Sequence, residues 1–250
     1  MTARSQARTA LTEAWAWLTT PPADTVTDAD RRTVDVVGLE LPVRASVAVA
    51  LAITLLIVDF SRVLLPASVI ASGRGPEGLR GLALERLVLL GLVPLLVVLL
   101  GFRDRPARYG LTLGDRSAGA FLTLVGVVAM TPIVLWFATL PDVRAFYAPS
   151  AAPLSDVLVT NAIDLTAAEF LFRGFLMFTL VRAIGPIGVL IAVMPFAYAH
   201  VGKPALELLS TLGGGLAYGW LAWRTRSIVW GSIAHVYIVT LVIGAAAGPG

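Results

Sequence analysis

Residues 118–140 run without one charged side chain. A membrane-spanning helix needs about 20 mostly apolar residues, and comparable stretches recur at 46–65, 82–101, 154–181, 186–200, 205–223 and 228–246. That pattern predicts an all-α, polytopic transmembrane bundle of seven helices. An eighth would arise if the fourth stretch, 28 residues long, breaks near Thr166 instead of tilting. Composition agrees: 57% of residues are hydrophobic, 14% are charged, and mean hydropathy is +0.83. Soluble domains carry about 25% charge. The chain has no cysteine, so disulfides and thiolate metal sites are excluded.

Three regions are expected: a leader over 1–44, N-terminal helices and loops over 45–150, and a core over 151–250. The first ten residues are polar and do not have the form of a signal peptide. Residues 11–22 (LTEAWAWLTTPP) read either as a short interfacial helix, with Trp15 and Trp17 at headgroup level, or as a partly ordered tail; 23–44 read as solvated. Placing the loop 102–117 in the cytosol puts twelve basic residues on that side: Arg4, Arg8, Arg31, Arg32, Arg44, Arg103, Arg105, Arg108, Arg116, Arg182, Arg224 and Arg226. Arg74, Arg80, Arg144 and Lys203, four in all, fall opposite. The positive-inside bias therefore predicts a multi-pass cell-membrane protein with a cytosolic N-terminus. The net charge of +3 comes with arginines between apolar runs, which argues for topology and against nucleic acid as a partner. Asp59 and Arg62 can pair on one helix face. The glycine-rich stretch 72–81 reads as a connector, and Gly215 and Gly219, in GxxxG spacing, as a helix-packing face.

Charged groups inside apolar runs cost about 2.5–3.5 kcal/mol each on insertion scales and tend to face a bundle interior. Glu169 and Arg173 lie four apart in one run, and the only two histidines, His200 and His235, lie in or at the end of later runs. A rise of about 1.5 Å per residue puts Glu169 and His200 roughly 20 Å from the cytosolic edge and His235 roughly 12 Å. These depths are compatible with one buried layer and predict a convergent polar site. A bland alternative is that Glu169 and Arg173 only neutralise each other, but that leaves the histidines unexplained. A carboxylate with two imidazoles can activate water, the glutamate as general base. The histidines would then either donate to a developing oxyanion or hold a metal. There is no HExxH, and a Zn site from Glu169, His200 and His235 stays open on ligand type.

These residues carry a resemblance. Ala168-Glu169-Phe170-Leu171-Phe172-Arg173-Gly174 is similar to an EExxxR motif followed by glycine, and Phe196-Ala197-Tyr198-Ala199-His200 matches FxxxH. His235 matches a third motif, with Val239 where an asparagine-type residue usually follows. The segments YGLTLGDRS and LAWRTRSIVWGSIAH are also alike. The chain resembles the CPBP family of intramembrane proteases, which includes type II CAAX prenyl endopeptidases and the bacteriocin-processing and immunity (Abi) proteins. The likeness covers about 150–245, more weakly from about 105.

The resemblance implies an endopeptidase cutting at or in the membrane, with a peptide or a prenylated or hydrophobic protein as substrate. It gives Glu169 the role of motif glutamate, His200 and His235 the water- or metal-binding roles, and Arg173 the support of the carboxylate. The first motif glutamate is Ala168 here. Either Glu169 does the base work, or the chain is a non-catalytic homologue that binds, as a scaffold or immunity protein. A proton-coupled transporter would also use buried Glu and His, but the repeats expected of one are not seen. Lys203 and Glu207 read as an interfacial turn, Tyr198 and Tyr237 as packing or belt residues.

Overall fold

The structure, a computed structural model, describes residues 3–248. Residues 1–2 of the expected leader and 249–250 of the expected core lie outside the described residues. Eleven helices are used below: α1 (Ala3–Thr19), α2 (Asp28–Arg31), α3 (Val43–Ser61), α4 (Ala67–Ala71), α5 (Pro76–Gly101), α6 (Arg116–Phe137), α7 (Pro141–Tyr147), α8 (154–184), α9 (Ile187–Tyr198), α10 (Ala205–Thr225) and α11 (Val229–Ala247). Each of the seven expected apolar stretches is helical. Four of them (α3, α5, α6 and α11) are long and apolar enough to cross a membrane, while α9 is a shorter apolar helix of 12 residues. The chain is a nearly all-α membrane protein. It departs from the all-α expectation in one antiparallel hairpin, β1 (Thr33–Val36) with β2 (Leu39–Pro42). The hairpin turns through Val37 and Gly38, both with φ in the left-handed region.

The fourth stretch does not break near Thr166. It continues as one helix, α8, whose turns widen to π geometry over Phe170–Met177. Residues 169–182 are buried on every side, which explains why apolar residues occur on every face of this segment, with Glu169, Arg173 and Arg182 as its only charges. Its aromatic residues Phe170, Phe172, Phe175 and Phe178 form the centre of the larger core cluster. The other helices gather around it and turn Ile53, Ile57, Leu124, Val128, Met194 and Leu209 outward. Those outer faces suit a lipid solvent, where an exposed apolar side chain costs nothing.

Packing between α9 and α10 depends on the glycine pair singled out above. A Cβ at Gly215 would lie 2.9 Å from Val193 Cγ1, and one at Gly219 2.9 Å from Val189 Cγ1. The helices meet there because nothing projects between them.

Charge sits at the helix ends. At one end, Asp30 of α2 accepts hydrogen bonds from Arg44 (2.8 Å) and Arg108 (2.7 Å), with Arg182 Nε at 3.4 Å. Arg224 donates to the carbonyls of Trp17 and Leu18, and Arg226 to Asp24 and to the carbonyl of Pro22. The leader, expected to be largely solvated, is thus folded onto the ends of α8 and α10. Nearer the opposite end, Arg86 of α5 bridges Asp59 of α3 (2.8 Å) and Asp164 of α8 (3.2 Å). Arg62 also reaches Asp59 at 3.2 Å, the pairing read from their spacing.

Candidate functional site

The site begins on α8. Glu169 is the last residue before the π-turns, and Arg173 follows four later on the same face. Arg173 Nη1–H donates to Glu169 Oε1 at 3.1 Å. Both side chains are nearly fully buried, at 1% and 3% exposure. Gly174 comes next because the loop after α5 presses on α8 there. A Cβ at Gly174 would lie 2.8 Å from the Tyr109 carbonyl oxygen and 2.6 Å from the Phe170 ring.

The second element is α11. His235 Nδ1 lies 2.9 Å from the same Glu169 Oε1. A carboxylate shared with an arginine can only accept, so Nδ1–H donates. In the neutral imidazole this fixes the Nδ1–H tautomer and leaves Nε2 with its lone pair free. His200 reaches the site from the turn after α9, a helix with Pro195 in its last turn and Gly202 at φ 90° beyond it. Its Nδ1 lies 2.8 Å from the Phe196 carbonyl oxygen, again an obligate acceptor. His200 therefore also keeps a free Nε2. The Phe196 ring is edge-on to both histidines, 4.6 Å from His200 and 6.1 Å from His235.

The guanidinium of Arg173 lies over that ring at 3.8 Å. Tyr218 of α10 completes the group: its ring stacks on His235 at 5.3 Å and 21°, with Arg173 5.6 Å from its centre. No motif pointed to Tyr218, and its spacing from the other residues carries no signal. Only the packing of α10 on α11 brings it in.

A cavity of about 640 Å³ opens beside this group, between α6 and α10 with α11 as floor. His200, His235, Phe196 and Tyr218 line it, whereas Glu169 and Arg173 do not. Val239 also lines it and offers no polar group. Ala168 instead packs against the core cluster. At the far end of the cavity, Lys203 and Glu207 depart from the interfacial-turn reading. Glu207 lines the cavity, takes the Tyr147 hydroxyl at 2.7 Å, and pairs with Lys203 at 2.8 Å. Burial, with the Glu207 carboxylate beside it, holds the Tyr147 phenol well above its ordinary pKa, so it stays a donor. Tyr237 pairs its hydroxyl with Thr131 at 2.8 Å, and Tyr198 packs on Phe60.

Ligand type alone leaves Zn open. Among the described residues no three His, Asp or Glu side chains gather as a ligand set. Glu169 Oε1 is held by Arg173 and His235, and the His200 ring bonds the Phe196 carbonyl instead. The residues as placed do not fit a three-ligand metal site.

Residues 150–241 match the family model described as type II CAAX prenyl endopeptidase Rce1-like, in agreement with the resemblance carried by the motifs. No curated protein and no solved structure matches the chain.

Proposed function

We propose, from a membrane protein whose residues 150–241 match the Rce1-like family model, that this chain is an integral membrane endopeptidase of the CAAX-protease type. The observation that carries the reading is the buried Glu169–His235 pair, of which His235 lines a mostly apolar cavity. Glu169 does not reach the cavity, so it acts through His235. The carboxylate holds Nδ1–H and aims Nε2 at the cavity, the arrangement by which an acid orients an imidazole base. His235 Nε2 takes a proton from water, and the hydroxide oxygen adds to the peptide carbonyl carbon. The tetrahedral oxyanion collapses, the C–N bond breaks, and the proton on Nε2 passes to the leaving nitrogen. Arg173 balances the carboxylate, and His200 Nε2 accepts from the water or from a substrate N–H.

The substrate class follows from the family's printed description and the aliphatic walls: a peptide or a prenylated or hydrophobic protein. The N-terminus lies in the cytosol. In support, the leader contacts Arg44, Arg108, Arg182, Arg224 and Arg226, so those cationic groups share one end of the molecule.

The test is cleavage of prenylated and unprenylated peptides by protein reconstituted in lipid, read by mass spectrometry. His235→Ala should lower kcat by about 10³–10⁴-fold, and Glu169→Gln by a comparable factor through the wrong tautomer. Turnover that survives both changes would sink the assignment.

A further inference from the structure

Hydrolysis of an amide needs a donor for the oxyanion, and neither histidine supplies one in its present tautomer. His235 gives Nδ1–H to Glu169 and His200 gives Nδ1–H to the Phe196 carbonyl, which leaves two acceptors facing the cavity. Most other donors on the wall are engaged. Thr123 bonds the Trp230 carbonyl, Ser210 that of Glu207, Thr211 that of Leu208 and Trp220 that of Thr19, while Tyr147 holds the Glu207 carboxylate. The Trp136 indole N–H and the Tyr218 hydroxyl remain, and of the two Tyr218 is the one stacked on a site histidine. It lines the cavity and stacks on His235, and among the described residues no hydrogen bond is made by its hydroxyl.

We infer that Tyr218 has two roles in this site: its ring positions the His235 imidazole, and its hydroxyl donates to the carbonyl oxygen of the bound peptide. This rests on the endopeptidase reading above. It also gives the site a polar group at a place unrelated to the motif positions, where Ala168 and Val239 offer none. A phenol is a suitable donor for a developing oxyanion, because it keeps its proton at neutral pH and its ring is held flat by a stack. The ring lies against both the imidazole, at 5.3 Å, and the Arg173 guanidinium, 5.6 Å from its centre. The hydroxyl is thereby held without a partner of its own, as a donor meant for a transition state must be.

Two variants separate the roles. Tyr218→Phe keeps the stack and removes the O–H; Tyr218→Leu removes both. The chain has only two histidines, so ¹³Cε1-histidine labelling gives two resonances, assigned with His200→Ala. Tyr218→Phe should lower kcat by about 10²-fold, leave KM unchanged, and leave both resonances in place. Tyr218→Leu should lower kcat further and move the His235 resonance, through loss of the ring current, but not that of His200. Full turnover in Tyr218→Phe, with an active wild type, overturns the donor role alone. An unmoved His235 resonance in Tyr218→Leu overturns the positioning role. A wild type that cleaves no peptide sinks the donor role together with the endopeptidase reading, and the resonances then still decide whether the stack exists.

Discussion

The single residue on which most of the site leans is Arg173. Its guanidinium is enclosed by Phe196 and Tyr218 and gives one donor to Glu169, while Nη2 is buried without a hydrogen-bond partner. Removing one member of a buried pair leaves the other charge uncompensated, at a cost of about 3–5 kcal/mol. Arg173→Ala should therefore lower the Tm in detergent by several degrees as well as end turnover. Arg173→Lys should restore little, because an ammonium lacks the planar face that stacks on Phe196. Equal melting temperatures for wild type and Arg173→Ala would contradict this account. Asp30, outside the spans, gives the pH dependence. Burial alone would raise its pKa, but donation from the Thr27 backbone and hydroxyl and from Arg108 and Arg44 outweighs it and holds the carboxyl well below the usual range. A carboxyl depressed on folding stabilises the fold fully above its unfolded pKa of about 4, and that stability is lost as pH falls further. Thermal melts should show a loss of stability below about pH 4 that Asp30→Asn, already weaker at pH 7, largely lacks.

At the scale of elements, α8 is held in register from both ends. Arg86 ties it to α3 through Asp164 and Asp59, and Arg182 ties it to the leader through Asp30. Arg86→Ala leaves two carboxylates facing each other across a partly buried gap. Destabilisation of about 3–5 kcal/mol is expected, read as a lowered melting temperature with Arg80→Ala, whose pairing with Asp156 is exposed, as the silent control. The α9–α10 contact fails differently. Gly219→Leu drives a side chain into Val189, already 2.9 Å from where a Cβ would begin. Overpacking costs about 1–3 kcal/mol or more. Because α9 carries Phe196 and α10 carries Tyr218, the substitution should reduce turnover beyond its effect on melting.

For the whole molecule, the prediction concerns sidedness. The chain has no cysteine, so a single introduced one reports without background. Thr25→Cys, beside Arg108, should label with an impermeant maleimide only from the cytosolic face. Ala148→Cys, following α7, should label only from the other. Labelling of both from one side would overturn the proposed orientation.

The sequence by itself determined the seven apolar helical stretches and their approximate limits, because hydrophobic length and the residues that end helices are local properties. It placed Glu169, Arg173, His200 and His235 in the apolar runs, and the structure draws the last three around Phe196, with Glu169 bonded to Arg173 and His235. It also anticipated the glycine face of α10. Only the tertiary structure decided what each group does there. It routed Glu169 away from the cavity and behind His235, and it set both Nδ1 atoms on acceptors. It turned Lys203 and Glu207 inward onto Tyr147, folded the leader over Arg224 and Arg226, and brought Tyr218 onto His235. Those outcomes depend on which faces of separately formed helices come into contact. That contact is set by shape and by the satisfaction of buried charge across distant segments, and no periodicity within one segment records it.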